Sequence, residues 1–281
     1  MPRHLFILFV AIFTCLLHAG SQVEQLATGF KFTEGPAICP VDGAVYFSDI
    51  PNNRIHRWDP ETGEVTLFRE NTGGANGLLF ADDETLIICA GRDRQVREDN
   101  ITTGEATVLA TKFDGKLLNS PNDTWIDPKG GIYFTDPRYG NRDNLEQDGE
   151  HVYYLSPDRQ SLIQVVDDMV RPNGIVGSPD GETLIITDHG GKQTWKYAIQ
   201  PDGTLRDKVL FADQPSDGMA MDEAGNVYLT HTAVDVYSPD GELQQSIELP
   251  ERPTNVTVLG EDPLTLFVTA QKSIYRITLE N

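Results

Sequence analysis

The stretch RPNGIVGSPDGETLIITD, residues 171–188, contains the pattern that decides the fold. A polar residue followed by glycine, Asn173-Gly174, precedes a short apolar run, the turn SPDG follows at 178–181, and a second β-rich run ends at Asp188. Proline presets φ and glycine accepts positive φ in such turns. The stretch therefore predicts a β-hairpin with a polar residue at its entrance.

The polar residue at the entrance recurs along the whole chain, at intervals of 42, 46, 51, 44 and 38 residues. A period of about 40 to 50 residues is typical of radial repeats such as β-propeller blades. Six repeats predict six blades, and the β-rich runs within each repeat predict four strands per blade. The six positions are Glu34, Asn76, Asn122, Asn173, Asp217 and Asn255.

The last repeat lacks a fourth strand. The segment VEQLATG at 23–29 has strand character and belongs to no repeat, so we expect it to complete the last blade and close the ring. Closure removes the exposed edges of the sheets. The sequence thus predicts an all-β, six-bladed β-propeller with four-stranded blades that begin and end at 34–70, 76–112, 122–168, 173–213, 217–249 and 255–279.

The N-terminus predicts a secretory signal peptide over residues 1–21, followed by a single propeller domain over 22–281. Basic residues precede an apolar run from Leu5 to Leu17, and the small residues Ala19, Gly20 and Ser21 follow. The alternative is a retained anchor, but a bilayer needs about 20 apolar residues and this run is shorter. We expect a periplasmic or secreted protein without stable membrane insertion.

The chain is strongly acidic, with a formal net charge of −21. Phosphates would be repelled, so nucleic acid is not an expected partner. Only Cys39 and Cys89 lie beyond the signal, too few for a disulfide framework. Buried free thiols are expected, with a single disulfide as the alternative, and the protein is expected to be a monomer.

The six polar side chains should converge at one end of the central channel, because each stands at the same place in its blade. Calcium binds six to eight hard oxygen ligands. Carboxylates and amides meet that need, whereas the absence of thiol and imidazole at these positions disfavours zinc and copper. The alternative is that each Asn-Gly or Asp-Gly only forms a strand-entry turn, but the recurrence favours a site. The predicted ligands are Glu34, Asn122, Asn173 and Asp217.

Several segments resemble motifs of the SMP-30/gluconolactonase/LRE-like (regucalcin) family, in its bacterial-type gluconolactonase branch. The resemblance covers the chain beyond the signal. It implies a six-bladed propeller with a divalent metal in the channel, usually Ca²⁺, and hydrolysis of sugar lactones; Zn²⁺, Mn²⁺ and Mg²⁺ are alternative ions. The segments are FTEGP (32–36), NSPNDTWIDPKGGIYFTDPRYG (119–140), RPNGI (171–175), LIITD (184–188) and SDGMAMDEAGNVYLT (216–230).

Carried over residue by residue, the resemblance implies that Glu34, Asn173 and Asp217 bind the metal and that Asn122 binds the metal or the substrate beside it. Asp217 would also be the catalytic acid or base. Ser120 stands where the animal branch has arginine. This difference leaves open how the sugar hydroxyls are held.

The expected reaction is calcium-dependent hydrolysis of a lactone of the glucono-1,5-lactone type. A bound cation polarises the carbonyl, and Asp217 takes a proton from the attacking water; direct attack by its carboxylate is the alternative. The other function classes are a propeller hydrolase of another lactone, ester or phosphotriester, and a non-catalytic binding propeller plugged by calcium. The predicted substrate contacts are Ser120, Asn122, Asn76, His189 and His231.

Three more features are expected near the channel mouth. The polar insert at 137–149 should form a rim loop. Asp136 and Asp188 end second strands and are expected to bind loop amides, as is Asp123 beneath the site. For His189 and His231 the alternative to proton transfer is a rim histidine bonded to a loop carbonyl.

Overall fold

The computed structural model describes residues 20–279, which form six four-stranded antiparallel sheets in a ring. The N-terminal strand is β1 (Ser21–Thr28). Blade 1 contains β2 (Thr33–Ile38), β3 (Val45–Asp49), β4 (Arg54–Trp58) and β5 (Val65–Glu70). Blade 2 contains β6 (Ala75–Phe80), β7 (Thr85–Ala90), β8 (Gln95–Asn100) and β9 (Ala106–Ala110). A short ribbon of β10 (Lys112–Phe113) and β11 (Lys116–Leu117) follows.

The other four blades repeat this order. Blade 3 contains β12 (Thr124–Ile126), β13 (Ile132–Asp136), β14 (His151–Leu155) and β15 (Leu162–Val166). Blade 4 contains β16 (Pro172–Gly177), β17 (Thr183–Asp188), β18 (Gln193–Ile199) and β19 (Leu205–Ala212). Blade 5 contains β20 (Met219–Met221), β21 (Val227–Thr230), β22 (Val234–Tyr237) and β23 (Leu243–Ile247). Blade 6 contains β24 (Asn255–Glu261), β25 (Leu264–Ala270) and β26 (Ser273–Leu279).

The ring closes through β1, which is the fourth strand of blade 6. It pairs antiparallel with β26, from Ser21 opposite Leu279 to Thr28 opposite Ser273. The inner strand of blade 6 also contacts the inner strand of blade 1. The predicted six-bladed propeller with N-terminal closure is confirmed. Residues 1–19, which hold most of the predicted signal, lie outside the described residues.

Burial follows the position of a strand within its blade. The second strands are buried along nearly their whole length, as in β3 and β13, whereas the outer strand β5 is largely exposed. Blades stack face to face, so their central strands are covered on both sides and read as continuous apolar runs. One apolar cluster fills each of the six interfaces between neighbouring blades.

The two cysteines are buried and free. Cys39 packs in the cluster between blades 1 and 2, and Cys89 packs in the cluster between blades 2 and 3. Each thiol therefore fills core volume. Within residues 20–279 there is no helix of the length and apolarity that crossing a membrane requires.

Candidate active site

A cavity of about 480 Å³ opens at the end of the channel where the inner strands begin. This volume falls in the range of small-molecule sites. Five of the six recurring polar residues line it, together with the predicted contacts Ser120 and His189. The five are Glu34, Asn76, Asn122, Asn173 and Asp217.

The glycines that follow the recurring polar residues lie at joints between blades. Gly174 donates its N–H to the carbonyl of Asp217 in the next blade at 2.8 Å, and Gly77 donates to the carbonyl of Asn122 at 2.7 Å. A Cβ on Gly174 would lie 2.5 Å from the Asp217 carbonyl oxygen. The dipeptides are therefore not merely strand-entry turns. They allow neighbouring inner strands to approach closely and so bring the polar side chains together.

Glu34 is buried at the start of β2, with only 5% of its surface exposed. Its Oε2 accepts hydrogen bonds from Asn255 Nδ2 and from the N–H of Gly35, each at 3.1 Å. No donor within residues 20–279 is bonded to Oε1. Burial raises the pKa of Glu34 well above its usual range, and the charges of Asp217 and Asp123 add to this effect.

Asp217 lies beside the start of β16, and both oxygens of its carboxylate are bonded. Its Oδ1 accepts from Asn173 Nδ2 at 2.8 Å, and its Oδ2 pairs with Arg252 Nη2 at 2.9 Å. Burial raises the pKa of Asp217, while the charges of Arg252 and His189 oppose the increase. The carboxylate is thus oriented, and Arg252 balances part of its charge.

Tyr139 brings the rim insert into the site. Its hydroxyl oxygen accepts a second N–H of Asn173 Nδ2 at 2.7 Å, and its ring lies 5.1 Å from the Arg171 guanidinium. Arg171 in turn pairs with the buried Glu150 at 3.3 Å. Since Tyr139 and Gly140 line the cavity, the insert at 137–149 contributes to the wall of the site as the sequence predicts.

The oxygen-bearing side chains of the site fit a hard divalent cation. Glu34 Oε1 has no donor, and the side chain of Asn122 forms no hydrogen bond within residues 20–279. Burial raises the pKa of Glu34 and raises that of Asp123 to about 7; the charges of Asp217 and Asp123 add to the effect on Glu34, and the charge of Asp217 adds to that on Asp123. A bound cation would relieve this repulsion. The oxygen ligands available are those that Ca²⁺ prefers.

Asn255 lies below the cavity and does not line it. Its side-chain amide bonds Glu34, and its Oδ1 accepts the N–H of Val256 at 2.8 Å. A Cβ on Gly218 would lie 2.0 Å from Asn255 Cγ, so that glycine makes room for the amide. Asn255 therefore orients a predicted ligand from beneath.

The two predicted histidines lie in different places. His189 lines the cavity, and its Nδ1 is 3.1 Å from the carbonyl of Ser216. Because a carbonyl only accepts, Nδ1 carries the proton and Nε2 has the free lone pair in the neutral ring. His231 follows β21 in a turn and is not among the residues that line the cavity. The charge of His231 nevertheless opposes the rise that burial causes in the pKa of Asp217, so a substrate contact for His231 stays a prediction.

Ser120 lines the cavity, but its hydroxyl donates to the Gly91 carbonyl at 3.1 Å. The backbone N–H of Ser120 donates to Asp136 Oδ1 at 2.7 Å. Asp188 binds the N–H groups of Val170 and Arg171, each at 2.9 Å. Asp136 and Asp188 thus hold the loops that lead into the inner strands of blades 3 and 4, as the sequence predicts.

Apart from two glycines, sequence reasoning missed four residues that line the cavity. Phe32 and Ile50 come from blade 1, Arg92 follows β7, and Arg252 precedes β24. Arg252 stands three residues before Asn255, so its nearness to a recurring position was the available signal. Tyr139 was signalled only as part of a polar insert. The apolar wall of Phe32 and Ile50 had no distinguishing pattern.

Comparison with known proteins agrees with this geometry. Residues 32–272 match the model of the SMP-30/gluconolactonase/LRE-like region. A gluconolactonase from Zymomonas mobilis is 28% identical over 296 residues, covering 93% of this chain and 82% of the relative.

Two solved structures are similar over most of their length. A gluconolactonase from Xanthomonas campestris superposes with a TM-score of 0.86 at 29% identity, covering 92% of this chain and 90% of that one. Regucalcin from Agrobacterium tumefaciens, described as a calcium-binding protein, has a TM-score of 0.78 at 20% identity, covering 91% and 93%. The second likeness, at its low identity, supports the fold alone.

Proposed function

This chain belongs to the SMP-30/gluconolactonase/LRE-like family and is a lactonase, and from this premise we propose that it hydrolyses a sugar lactone of the glucono-1,5-lactone type with the help of a divalent cation. The observation that carries the proposal is the pair of acids, buried Glu34 and partly buried Asp217, in one cavity with the amides of Asn122 and Asn173. Ca²⁺ is the first candidate ion because all four side chains offer hard oxygen atoms.

The four polar side chains share one task in this proposal. Glu34, Asn122, Asn173 and Asp217 would hold the cation. When bound, such an ion polarises the lactone carbonyl and stabilises negative charge on its oxygen. Asn255 fixes Glu34 through Oε2, which leaves Oε1 directed to the ligand.

Asp217 moves the proton. As a water oxygen bonds to the carbonyl carbon, the Asp217 carboxylate takes a proton from that water. The bond between the carbonyl carbon and the ring oxygen then breaks, and the same proton passes to the departing alkoxide. Hydrogen bonds from Asn173 to Oδ1 and from Arg252 to Oδ2 hold this carboxylate in place in the cavity.

Tyr139 supplies a hydrogen bond to the reacting oxygen atoms. Its oxygen already accepts an N–H from Asn173, so its own O–H is available to a ligand in the cavity. Tyr139 is 48% exposed, but desolvation of its hydroxyl and the charge of Asp217 both raise its pKa, so the hydroxyl stays protonated. An oriented donor at a developing oxyanion lowers the barrier because it needs no reorganisation.

Tyr139→Phe is expected to lower kcat by about 10- to 100-fold with little change in KM, since one donor is lost from the transition state. The ring that packs beside Arg171 and His189 is retained, so the fold should be unaffected. Steady-state kinetics on glucono-1,5-lactone measure the effect. A variant with wild-type kcat would limit Tyr139 to a packing role.

The proposal as a whole is tested by acid release from glucono-1,5-lactone before and after chelation. We expect hydrolysis above the spontaneous rate, at least a 10-fold loss in chelator, and recovery when Ca²⁺ is restored. Parallel recovery with Mg²⁺, Mn²⁺ and Zn²⁺ identifies the ion that works best. Activity that persists unchanged in chelator would disprove the metal dependence, and no activity with any ion would disprove the substrate class.

A further inference from the structure

One wall of the cavity carries an arginine without an ionic partner. Arg92 follows β7 in blade 2 and lines the cavity, yet it forms no salt bridge within residues 20–279. Its side chain makes a single long hydrogen bond, 3.5 Å from Nη2 to the carbonyl of Ile50. Its backbone is fixed, because its N–H donates to the carbonyl of Gly73 at 3.0 Å. The main chain is therefore held in place while the guanidinium remains available.

Arg92 is the cavity-lining member of a small group of unpaired arginines. Within residues 20–279 the arginines without a salt bridge are Arg92, Arg138, Arg159 and Arg206, and of these only Arg92 lines the cavity. Nearby, Arg94 pairs with Glu146 and Arg171 pairs with Glu150. Even Arg252, which shares the cavity, is bound to Asp217. Arg92 is therefore the residue of the cavity wall best placed to bind an anion from solution.

The position of Arg92 in the ring indicates which end of a bound lactone would carry an anionic group. The blades follow one another in chain order around the ring, so blade 2 lies opposite blade 5. Arg92 and Asp217 thus stand on opposite walls of the cavity. A lactone that presents its carbonyl to Asp217 directs its far end towards blade 2.

The charge of the Arg92 guanidinium would attract an anionic group at the blade 2 end of the cavity, because it forms no salt bridge within residues 20–279. A guanidinium fork matches the geometry of carboxylate and phosphate oxygens and can bond both at once.

We propose that this site takes aldonolactones carrying an anionic group at the end remote from the reacting carbonyl, and that Arg92 binds that group. The inference rests on the proposed lactonase function and names its substrate class. The shared chemistry is a terminal oxyanion, which a second carboxylate or a phosphate ester can provide. Arg92 takes no part in bond breaking.

The test compares three lactones with wild type and Arg92→Gln: neutral glucono-1,5-lactone, glucaro-1,4-lactone with its free carboxylate, and 6-phosphoglucono-1,5-lactone. We expect wild type to prefer at least one anionic lactone in kcat/KM. Arg92→Gln should lower kcat/KM for that lactone by roughly 10- to 100-fold and for the neutral one by less than about 3-fold. Added salt should weaken only the anionic reaction.

Arg206→Gln is the matched control, because Arg206 is exposed on the outer strand β19 and loses the same charge. A loss shared by both variants would assign the effect to net charge and overturn the role of Arg92. Equal losses for neutral and anionic lactones in Arg92→Gln would overturn it as well. Whichever anionic lactone is preferred identifies the group that Arg92 binds.

Failure of the lactonase function gives a different result. If no lactone is hydrolysed with any ion, the proposed function fails, and calorimetry of the open-chain acids then tests the subsite alone. Tighter binding of glucarate than of gluconate, lost in Arg92→Gln and kept in Arg206→Gln, would support the anion site. Equal binding of the two acids to wild type would overturn it.

Discussion

Asp217→Asn is expected to lower kcat for glucono-1,5-lactone by about 10³-fold and to leave the fold intact, because the amide cannot take a proton from water. The side chain keeps its shape, and its oxygen can still accept the N–H of Asn173. The contact with Arg252 is lost, but that arginine is 41% exposed and such a pair contributes little to stability.

The stability of the metal-free variant provides a second measurement. Burial raises the pKa of Asp217, so the charged form is disfavoured in the folded protein at neutral pH. Removal of the charge should therefore leave the urea midpoint in chelator unchanged or higher. Asp213→Asn changes the same charge at an exposed position and serves as the control. If Asp217→Asn retained more than a tenth of wild-type kcat, Asp217 would not be the base.

Glu34→Gln is expected to weaken Ca²⁺ binding by about 100-fold or more, since a buried carboxylate ligand loses its charge while the contact from Asn255 can persist through the amide oxygen. At a Ca²⁺ concentration of about 100 times the wild-type Kd, the ion stabilises the wild type by about 2.7 kcal/mol. Most of that gain should disappear in the variant. Thermal unfolding across a Ca²⁺ titration measures it.

The pH dependence of stability without Ca²⁺ provides a second measurement on Glu34→Gln. Because burial and neighbouring acids raise the pKa of Glu34, its folded form binds more protons than its unfolded form above the ordinary glutamate pKa. Wild-type stability in chelator should therefore fall as the pH rises through that window, and Glu34→Gln should remove part of the fall. Glu105→Gln, at an exposed turn, controls for net charge. Unchanged Ca²⁺ affinity in Glu34→Gln would exclude Glu34 as a ligand.

The sequence predicted the blades because they depend on local chemistry. Turn residues at fixed offsets end each hairpin, and apolar runs mark the strands that two neighbouring blades cover. The closing strand, expected over 23–29, is observed as Ser21–Thr28. The loop contacts of Asp136 and Asp188 were also predictable, since each carboxylate binds amides fewer than 20 residues away.

The sequence also indicated which residues gather in the cavity, because repetition places them at equivalent positions in the blades. It gave no means of separating their tasks. Asn255 and Glu34 are 221 residues apart and become neighbours only when the ring closes. Through that contact Asn255 orients Glu34. Asn255 nevertheless occupies the same position in its repeat as the residues that line the cavity.

What the sequence by itself determined is the six-bladed ring, its closure and the set of polar residues at the channel mouth, since these follow from short-range pattern and period. Only the tertiary structure placed Tyr139 on Asn173, Arg252 on Asp217, and Arg92 across the cavity from Asp217. Tyr139, Arg252 and Arg92 lie in loops whose sequences do not repeat from blade to blade. Their partners are set by ring closure and by the packing of neighbouring blades, which bring together residues that no local sequence pattern relates.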